Sequence, residues 1–245
     1  MNALETKQLT KTYISGHFWS KKSSPALNGI DLKIKNKQVF GLLGLNGAGK
    51  TTLLKILIGL LLPSFGKAVI LGKPAGDIQT RKEIAYLPEM PYFPRYLTPL
   101  EILDFYGKLY ELPVVERKKK TLEALVKVGL YEKRTHKLKE FSKGMLQKVG
   151  IAQLLLNNAK IYFLDEPTYG LDPLAAKQMR DIILELKKAG KTIFLNTHQI
   201  NEVNQICDRI GILNNGHLIE DIEVKNIKGS MESFFVKRVQ NNGKA

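Results

Sequence analysis

The chain has 245 residues, enough for one substantial hydrophobic core, and its 44% apolar and 25% charged residues are ordinary for a globular protein. We expect neither a signal peptide nor a membrane-spanning helix, because no apolar run is long enough, and the single cysteine, Cys207, excludes an internal disulfide bond. Lys and Arg outnumber Asp and Glu by 38 to 23, a net charge of +15. This excess suits nucleotide phosphates, an anionic membrane surface or nucleic acid, and does not choose among them.

The first third of the chain alternates strand and helix signals. The run "QVFGLLG" has the continuous apolar character of a buried strand, and a helix is predicted from Thr51 to Leu62, ended by Pro63. Two further short strands, "KAVILG" and "EIAYLP", lie between turns that contain glycine or proline. This order of elements is typical of an α/β protein.

From Pro88 onward the pattern becomes helical. Thr98 is predicted to cap a helix, with Pro99 in its first turn and Glu101 at the capping-box position. A second helical run begins after Pro113 and ends at Gly129. Ser142 is predicted to cap a third helix, which runs from Lys143 to about Leu156.

Strand signals then return. The strands "KIYFLDEP" and "KTIFLNTH" alternate with helices that follow Asp172 and span Ile200 to Cys207, and "RIGILNNGHLIED" predicts a hairpin turned at Asn215-Gly216. The alternation predicts a mostly parallel sheet with helices on both faces. We predict one domain: an α/β core at about 1–88 and 159–222, an inserted α-helical lobe at about 89–158, and a short C-terminal tail at about 223–245.

A glycine-rich loop joins the first buried strand to the helix after it. Its sequence "GLNGAGKT" matches the pattern G-x-x-x-x-G-K-[ST], in which glycines let successive N–H groups turn inward around a phosphate. The lysine supplies a positive charge for the β- and γ-phosphates, and the threonine hydroxyl is a ligand for Mg²⁺. Such loops serve kinases, GTPases, helicases and transport motors alike. The residues predicted to bind the nucleotide here are Gly44, Leu45, Asn46, Gly47, Ala48, Gly49, Lys50, Thr51 and Thr52.

Two adjacent acids follow the strand "IYFLD". Side chains at the carboxyl end of a buried parallel strand emerge at the ligand-binding edge of the sheet. Asp165 is therefore predicted to hold Mg²⁺ together with Thr51, and Glu166 to act as the general base that polarises the attacking water.

Three longer segments carry a resemblance to one family. The segment "EFSKGMLQKVGIAQLLL" resembles the signature of ATP-binding cassette (ABC) ATPases, "LDEPTYGLDP" their Walker B strand and D-loop, and "NTHQINEVNQICDRIGILNNG" the segment of their switch histidine. The resemblance covers nearly the whole chain in the expected order. It implies a P-loop NTPase (RecA-like) core with a mixed, mostly parallel sheet, N-terminal antiparallel strands and an inserted helical lobe.

The same resemblance assigns roles to residues outside the phosphate loop. It implies that two cassettes meet head to tail, so that Ser142, Lys143 and Gly144 of one copy contact the ATP of the other. Asp172 would link the two sites. His198 would contact the γ-phosphate or the attacking water, and Tyr13 would stack on adenine.

Three positions depart from the family pattern. Lys143 replaces a signature glycine, Met145 replaces the usual glutamine, and Glu89 stands where the family carries a glutamine that ligates the metal. A carboxylate at position 89 remains a possible Mg²⁺ ligand. Together with "YLPE", "SKGM" and the early loop, these residues resemble cassettes of the ABC-2 exporter branch.

The resemblance implies an ATP hydrolase that forms a dimer, most simply of identical chains, and drives a separate membrane-spanning permease. It would lie at the cytoplasmic face of the cell membrane, near the anionic leaflet, with ATP and Mg²⁺ as cofactors and no nucleic acid. A cassette ATPase acting on nucleic acid or ribosomes is the alternative, and only the net charge supports it. A small-molecule kinase would leave the signature segment unexplained.

The segment "SGHFWSKKSSPA", Ser15 to Ala26, is longer than a tight turn. It contains Trp19 among lysines, a composition that is compatible with contact with lipid headgroups or a permease loop. A hairpin with its tryptophan packed on the core is the simpler interpretation.

Overall fold

The computed structural model describes residues 1–15 and 22–242. Residues 16–21 of the segment from Ser15 to Ala26, which include Trp19, lie outside the described residues, so the interpretations of that tryptophan stay predictions. Two sheets organise the described chain. Side chains of both sheets meet in one apolar core, and a second core combines strands of one sheet with helices.

The first sheet is antiparallel and has four strands in the order β2-β1-β4-β5. Its strands are β1 (Asn2–Ser15), β2 (Lys22–Lys35), β4 (Phe65–Ile70) and β5 (Lys73–Pro74). Along β2 every second residue is buried from Ile30 to Ile34, because one face of the sheet packs on the core. The predicted N-terminal antiparallel strands are confirmed.

The second sheet has six strands in the order β10-β9-β3-β8-β7-β6. They are β3 (Val39–Leu43), β6 (Ile84–Leu87), β7 (Ile161–Asp165), β8 (Thr192–Asn196), β9 (Arg209–Asn214) and β10 (His217–Glu223). All neighbouring pairs are parallel except β9 and β10, which form the predicted hairpin. The carboxyl ends of β3, β7 and β8 therefore meet at one edge of the sheet.

Eight α-helices accompany the strands in the described part of the chain. Three of them, α3, α4 and α5, lie between β6 and β7 and pack with β6 and β7 in one apolar cluster. That these three helices form the inserted lobe expected at about 89–158 stays a prediction. The bounds are α1 (Lys50–Leu57), α2 (Ile78–Arg81), α3 (Pro99–Leu109), α4 (Val114–Lys127), α5 (Lys143–Leu156), α6 (Pro173–Lys188), α7 (Ile200–Ile206) and α8 (Met231–Asn242), with 3₁₀ turns at Tyr131–Lys133, Leu138–Glu140 and Val224–Asn226.

The predicted helix starts are confirmed by their hydrogen bonds. The Thr98 hydroxyl accepts from the Glu101 N–H, and the Glu101 carboxylate accepts from the Thr98 N–H, which completes the capping box of α3. The Ser142 hydroxyl accepts from the Met145 N–H at the start of α5. Asp172 caps α6 in the same way, accepting from the Ala175 N–H at 2.9 Å.

The predicted end of the first helix at Leu62 is wrong, because α1 ends at Leu57. Gly59 adopts φ +75°, and the N–H groups of Gly59 and Leu60 donate to the carbonyls of Ile56 and Lys55. This pair of bonds is the Schellman arrangement that closes a helix. A side chain at position 59 would collide with the backbone of Gly76, so the glycine ends the helix before the proline does.

Two features lay outside the predicted elements. The short helix α2 and the two-residue strand β5 depend on local turns and were not indicated by periodicity. The helix α8 packs Phe234 and Phe235 against the larger core. Across residues 1–15 and 22–242, no helix combines the length and apolar content needed to cross a membrane.

Candidate functional site

The phosphate loop lies between β3 and α1, as its sequence predicts. Gly49 adopts φ +106°, and a side chain there would collide with the Ala26 carbonyl oxygen. A side chain at Gly44 would come against the Leu213 carbonyl oxygen. The loop is thus wedged against neighbouring backbone, and only glycine fits at these two positions.

Lys50 opens α1 and its side chain folds back under the loop. Its Nζ donates to the Gly44 carbonyl oxygen at 2.7 Å and to the Leu45 carbonyl oxygen at 3.3 Å. Burial lowers the pKa of the Lys50 ammonium, and the nearby carboxylates of Glu166 and Asp165 oppose that decrease. The result is a buried cation whose hydrogen-bonding partners are neutral carbonyls, which leaves its charge available to an anion.

Asp165 ends β7 beside the loop and is 4% exposed. Asn196 at the end of β8 donates to its carboxylate at 3.1 Å. Burial raises the pKa of Asp165, although the hydrogen bond from Asn196 lowers it, and the charges of Glu166 and Glu89 add to the increase. A desolvated carboxylate among other acids is stabilised by a cation, which suits the predicted metal role.

A cavity of about 230 Å³ brings most of the predicted site residues together. Thr51, Glu89 and Asp165 all line it, and hydroxyl and carboxylate oxygens are donors that Mg²⁺ accepts. No set of three or more Asp, Glu, His or Cys residues in the described ranges forms a metal cage, so Mg²⁺ here would need phosphate oxygens as well. The lining residues are Ala26, Asn46, Gly47, Ala48, Gly49, Lys50, Thr51, Thr52, Glu89, Asp165 and Glu166.

Glu166 follows β7 in a left-handed backbone conformation, φ +48°. Its N–H donates to the Asn196 carbonyl oxygen at 2.9 Å, and its carbonyl oxygen accepts from the Tyr169 N–H at 3.0 Å. A non-glycine residue in this region is strained, and such strain persists where the surrounding structure fixes it, often at functional sites.

The carboxylate of Glu166 is held by His198. One oxygen lies 2.9 Å from His198 Nδ1, and the other accepts from the His198 backbone N–H at 3.3 Å. The Glu166 side chain is 10% exposed and that of His198 is 48% exposed. The two residues predicted to handle the attacking water are therefore in direct contact.

Other predicted residues lie at the margins of this cavity or away from it. The Tyr13 hydroxyl is 3.4 Å from Thr52 Oγ1, and the residue is 42% exposed, with the Lys11 ammonium 5.5 Å from the centroid of its ring. The signature residues Ser142, Lys143 and Gly144 do not line the cavity, and neither does Asp172. Ser142 caps α5, and Lys143 and Gly144 lie in its first turn. The ATP that they are predicted to contact would be bound by a second chain.

Sequence reasoning missed a buried network behind the site. The Thr168 hydroxyl donates to the Glu202 carboxylate at 2.7 Å, and Arg180 lies 3.7 Å from the other carboxylate oxygen. Burial raises the pKa of Glu202, while Thr168 and Arg180 oppose that increase. The network ties the turn after Glu166 to α7. Its residues are distant in sequence, so only the fold reveals the contact.

Comparisons with known proteins place the chain in a family. A family model described as ABC transporter matches residues 27–169. An ABC transporter ATP-binding protein of Synechocystis is 46% identical over 237 residues, which cover 96% of this chain and 67% of that protein. A fluoroquinolones export ATP-binding protein of Mycobacterium tuberculosis is 36% identical over 205 residues, 82% of this chain and 66% of that protein.

One of the similar solved structures is a dimer. The dimeric structure of the ATP-binding cassette MJ0796 in a post-hydrolysis state, bound to ADP and Pi, has a TM-score of 0.83 and 28% identity, and the match covers 91% of this chain and 100% of that one. The chain belongs to the ABC transporter family. It is an ATP-binding subunit that hydrolyses ATP with Mg²⁺, dimerises and works with a membrane permease.

The raised pKa of Asp165 predicts that its charge destabilises the ligand-free chain. A carboxyl whose pKa is raised by folding stabilises the fold while it is protonated, and that stabilisation is lost as pH rises through the folded-state pKa. Asp165→Asn should therefore unfold at a higher temperature than the unmodified chain at pH 7.5 in EDTA. The gain should shrink as pH falls toward 4.

The matched control is Asp181→Asn, at an exposed carboxyl on α6. It should leave the thermal midpoint nearly unchanged. With saturating Mg²⁺ and ATP the order should reverse, because the unmodified chain gains ligand stabilisation that Asp165→Asn loses. A lower midpoint for Asp165→Asn in EDTA would contradict the electrostatic account.

Proposed function

We propose that each ATP site is shared between two copies of this chain and that the dimer powers export through a separate permease. One observation carries the shared site. Lys50, Asp165 and Glu166 meet in one cavity, whereas Ser142 and Gly144 begin a helix outside it. An isologous two-fold contact would supply the missing helix start to each cavity.

On this proposal the loop N–H groups and Lys50 hold the β- and γ-phosphates, and Tyr13 stacks on adenine. Thr51 and Asp165 would hold Mg²⁺, with Glu89 as a further carboxylate, and the bound ion would supply positive charge beside the phosphates. Leu45, Asn46, Gly47, Ala48, Gly49 and Thr52 complete the cradle around the nucleotide.

Glu166 is proposed to take the proton from the attacking water. The strained backbone at position 166 and the two contacts with His198 fix its carboxylate before substrate binds. When His198 donates its Nδ1–H to Glu166, its Nε2 is left available for the γ-phosphate or the water. Ser142, Lys143 and Gly144 contact the γ-phosphate of the second copy, and Asp172 links the two sites.

Glu166→Gln tests the base and the shared site together. The amide keeps an oxygen for the His198 N–H but cannot accept the proton, so the ATPase rate should fall about 100- to 10,000-fold. ATP should then accumulate in a stable dimer, which size-exclusion chromatography with light scattering would detect. The exposed Glu132→Gln serves as the matched control and should turn over normally.

Nucleotide binding by the monomer should persist in Glu166→Gln, because Lys50 and the loop are intact. If nucleotide binds and no ATP-dependent dimer forms, either the assignment of Glu166 or the shared site is wrong. If turnover stays within twofold of the unmodified chain, Glu166 is not the base.

An exposed aromatic surface is the proposed permease contact. Met90, Tyr92 and Tyr96 are 64%, 87% and 71% exposed in the loop between β6 and α3. Large apolar side chains grouped in one loop are typical of an interaction site. On this proposal, a helix of the permease would lie against these three side chains.

The same loop is tied to the segment before the signature. The Leu138 N–H donates to the Leu97 carbonyl oxygen at 2.8 Å, and the Lys139 N–H donates to the Arg95 carbonyl oxygen at 2.9 Å. Arg95 also donates to the Leu138 carbonyl oxygen at 3.1 Å. A permease that moves this loop would thereby move the start of α5, which is how nucleotide state and transport would be coupled.

The double variant Tyr92→Ser/Tyr96→Ser should weaken the association with the permease. Tagged chain would be purified from detergent-solubilised membranes, and polytopic membrane proteins would be identified and quantified by mass spectrometry. The polytopic partner recovered with the unmodified chain should be reduced at least tenfold. Basal ATPase activity should be unchanged, because neither tyrosine lines the ATP cavity.

Phe65→Ser is the matched control, since Phe65 is 69% exposed on the antiparallel sheet. It should recover the same membrane protein as the unmodified chain. Equal recovery with Tyr92→Ser/Tyr96→Ser would contradict the proposed docking surface.

Export, the ABC-2 branch and a position at the cytoplasmic face of the membrane are supported by the family resemblance of "YLPE" and "SKGM" and by the name of the mycobacterial relative. The charge of +15 favours an anionic leaflet, to which each nearby Lys or Arg contributes about 1 kcal/mol. If cells that express this chain together with its permease took up the transported substrate, that result would contradict export.

A further inference from the structure

Lys143, the residue that departs from the family signature, contacts the turn at Tyr169-Gly170 of its own chain. Its ammonium lies 4.1 Å from the centroid of the Tyr169 ring. Its side-chain stem lies over Gly170, where an added Cβ would be 3.4 Å from Lys143 Cε. The aliphatic stem of Lys143 therefore packs along the turn, and its ammonium lies over the face of the Tyr169 ring.

Tyr169 is itself fixed on the catalytic side of the molecule. Its N–H donates to the Glu166 carbonyl oxygen, and its ring meets the His198 imidazole at an angle of 65° with centroids 6.1 Å apart. Behind this turn, Gln147 of α5 donates to the Pro167 carbonyl oxygen at 3.3 Å. The ring has contacts on two sides, although 40% of the residue remains exposed.

The position of Lys143 is unfavourable without such a contact. It is the first residue of α5, whose first turn has no acidic residue. The positive end of a helix repels a cation, so an unsupported lysine here would extend into solvent. The attraction of an ammonium to the face of an aromatic ring is of similar size and offsets that repulsion.

We propose that Tyr169 is a positioning residue for ATP-dependent dimerisation. The face of its ring holds the Lys143 ammonium at the start of α5, where it engages the terminal phosphate of the nucleotide bound by a second copy of this chain. The inference rests on the proposed shared site and adds a residue that the signature pattern does not contain.

The contact with Tyr169 orders Lys143 without sequestering it. A lysine side chain has many rotamers, and a weak contact that restricts them lowers the entropy lost when phosphate binds. The ammonium has three N–H donors and only one side faces the ring, so the others stay free for oxygen atoms. A charged phosphate is also a stronger partner than a ring face.

The test is the affinity of the ATP-bound dimer in the Glu166→Gln chain. The dissociation constant would be measured by analytical ultracentrifugation at saturating Mg²⁺-ATP, for Tyr169→Phe, Tyr169→Leu, Lys143→Met and the double variant Tyr169→Leu/Lys143→Met. An isologous dimer contains the contact twice, so Tyr169→Leu should weaken it about 5- to 30-fold. Tyr169→Phe keeps the ring face and should stay within about twofold.

Lys143→Met should weaken the dimer at least as much as Tyr169→Leu. Adding Tyr169→Leu to Lys143→Met should have no further effect, because the ring acts through the lysine. A merely structural role for Tyr169 would instead lower the affinity equally with or without Lys143, and that result overturns the inference. Tighter dimers in Tyr169→Leu would show that the ring sequesters the lysine, which also overturns it.

Failure of the two proposals gives different results. If the Glu166→Gln chain binds nucleotide and has lost turnover but forms no ATP-dependent dimer, the shared site itself is wrong. If it dimerises and all four variants match it, the shared site stands and the role of Tyr169 is wrong. Monomer nucleotide affinity should be unchanged in every variant, since neither residue lines the cavity around Lys50.

Discussion

The buried ammonium of Lys50 is the constraint around which the site is built. Its hydrogen bonds go to two backbone carbonyls, and burial lowers its pKa while the neighbouring acids oppose that change. Burial also raises the pKa of Asp165, which ends β7, two strands away from β3 in the sheet. The site thus holds a cation that attracts phosphate beside a carboxylate that attracts a metal. A metal–nucleotide complex satisfies both demands at once, which free phosphate would not.

A second positive feature, the start of α5, lies outside that cavity. Two connections join it to the rest of the chain: the Arg95–Lys139 contacts lead toward the exposed aromatic loop, and the Lys143–Tyr169 contact leads toward His198. The start of α5 is therefore linked to the proposed permease surface and to the contact between Glu166 and His198 in its own chain. In a two-fold dimer these links would let one nucleotide influence both subunits.

The sequence predicted several features that depend on local capping and turn chemistry. The capping box of Thr98, the cap at Ser142 and the hairpin at Asn215-Gly216 appear as expected, and the family's cassette fold is confirmed. The end of α1 was missed because Gly59, not the proline, closes the helix through a packing contact with Gly76. The strain at Glu166 and the Thr168–Glu202 bond arise from contacts between distant segments, so periodicity carried no signal for them. The roles of individual site residues stay predictions.

Mixing two inactive variants tests the shared site most directly. Lys50→Ala removes the phosphate cation of one chain, and Gly144→Asp places a negative charge at the helix start of the other, where it favours the helix but repels phosphate. Each variant alone should be inactive. An equal mixture should recover up to about one quarter of the unmodified rate, because half of the dimers are mixed and each has one complete site. A Gly144→Asp chain that hydrolyses ATP at the full rate by itself would contradict the account.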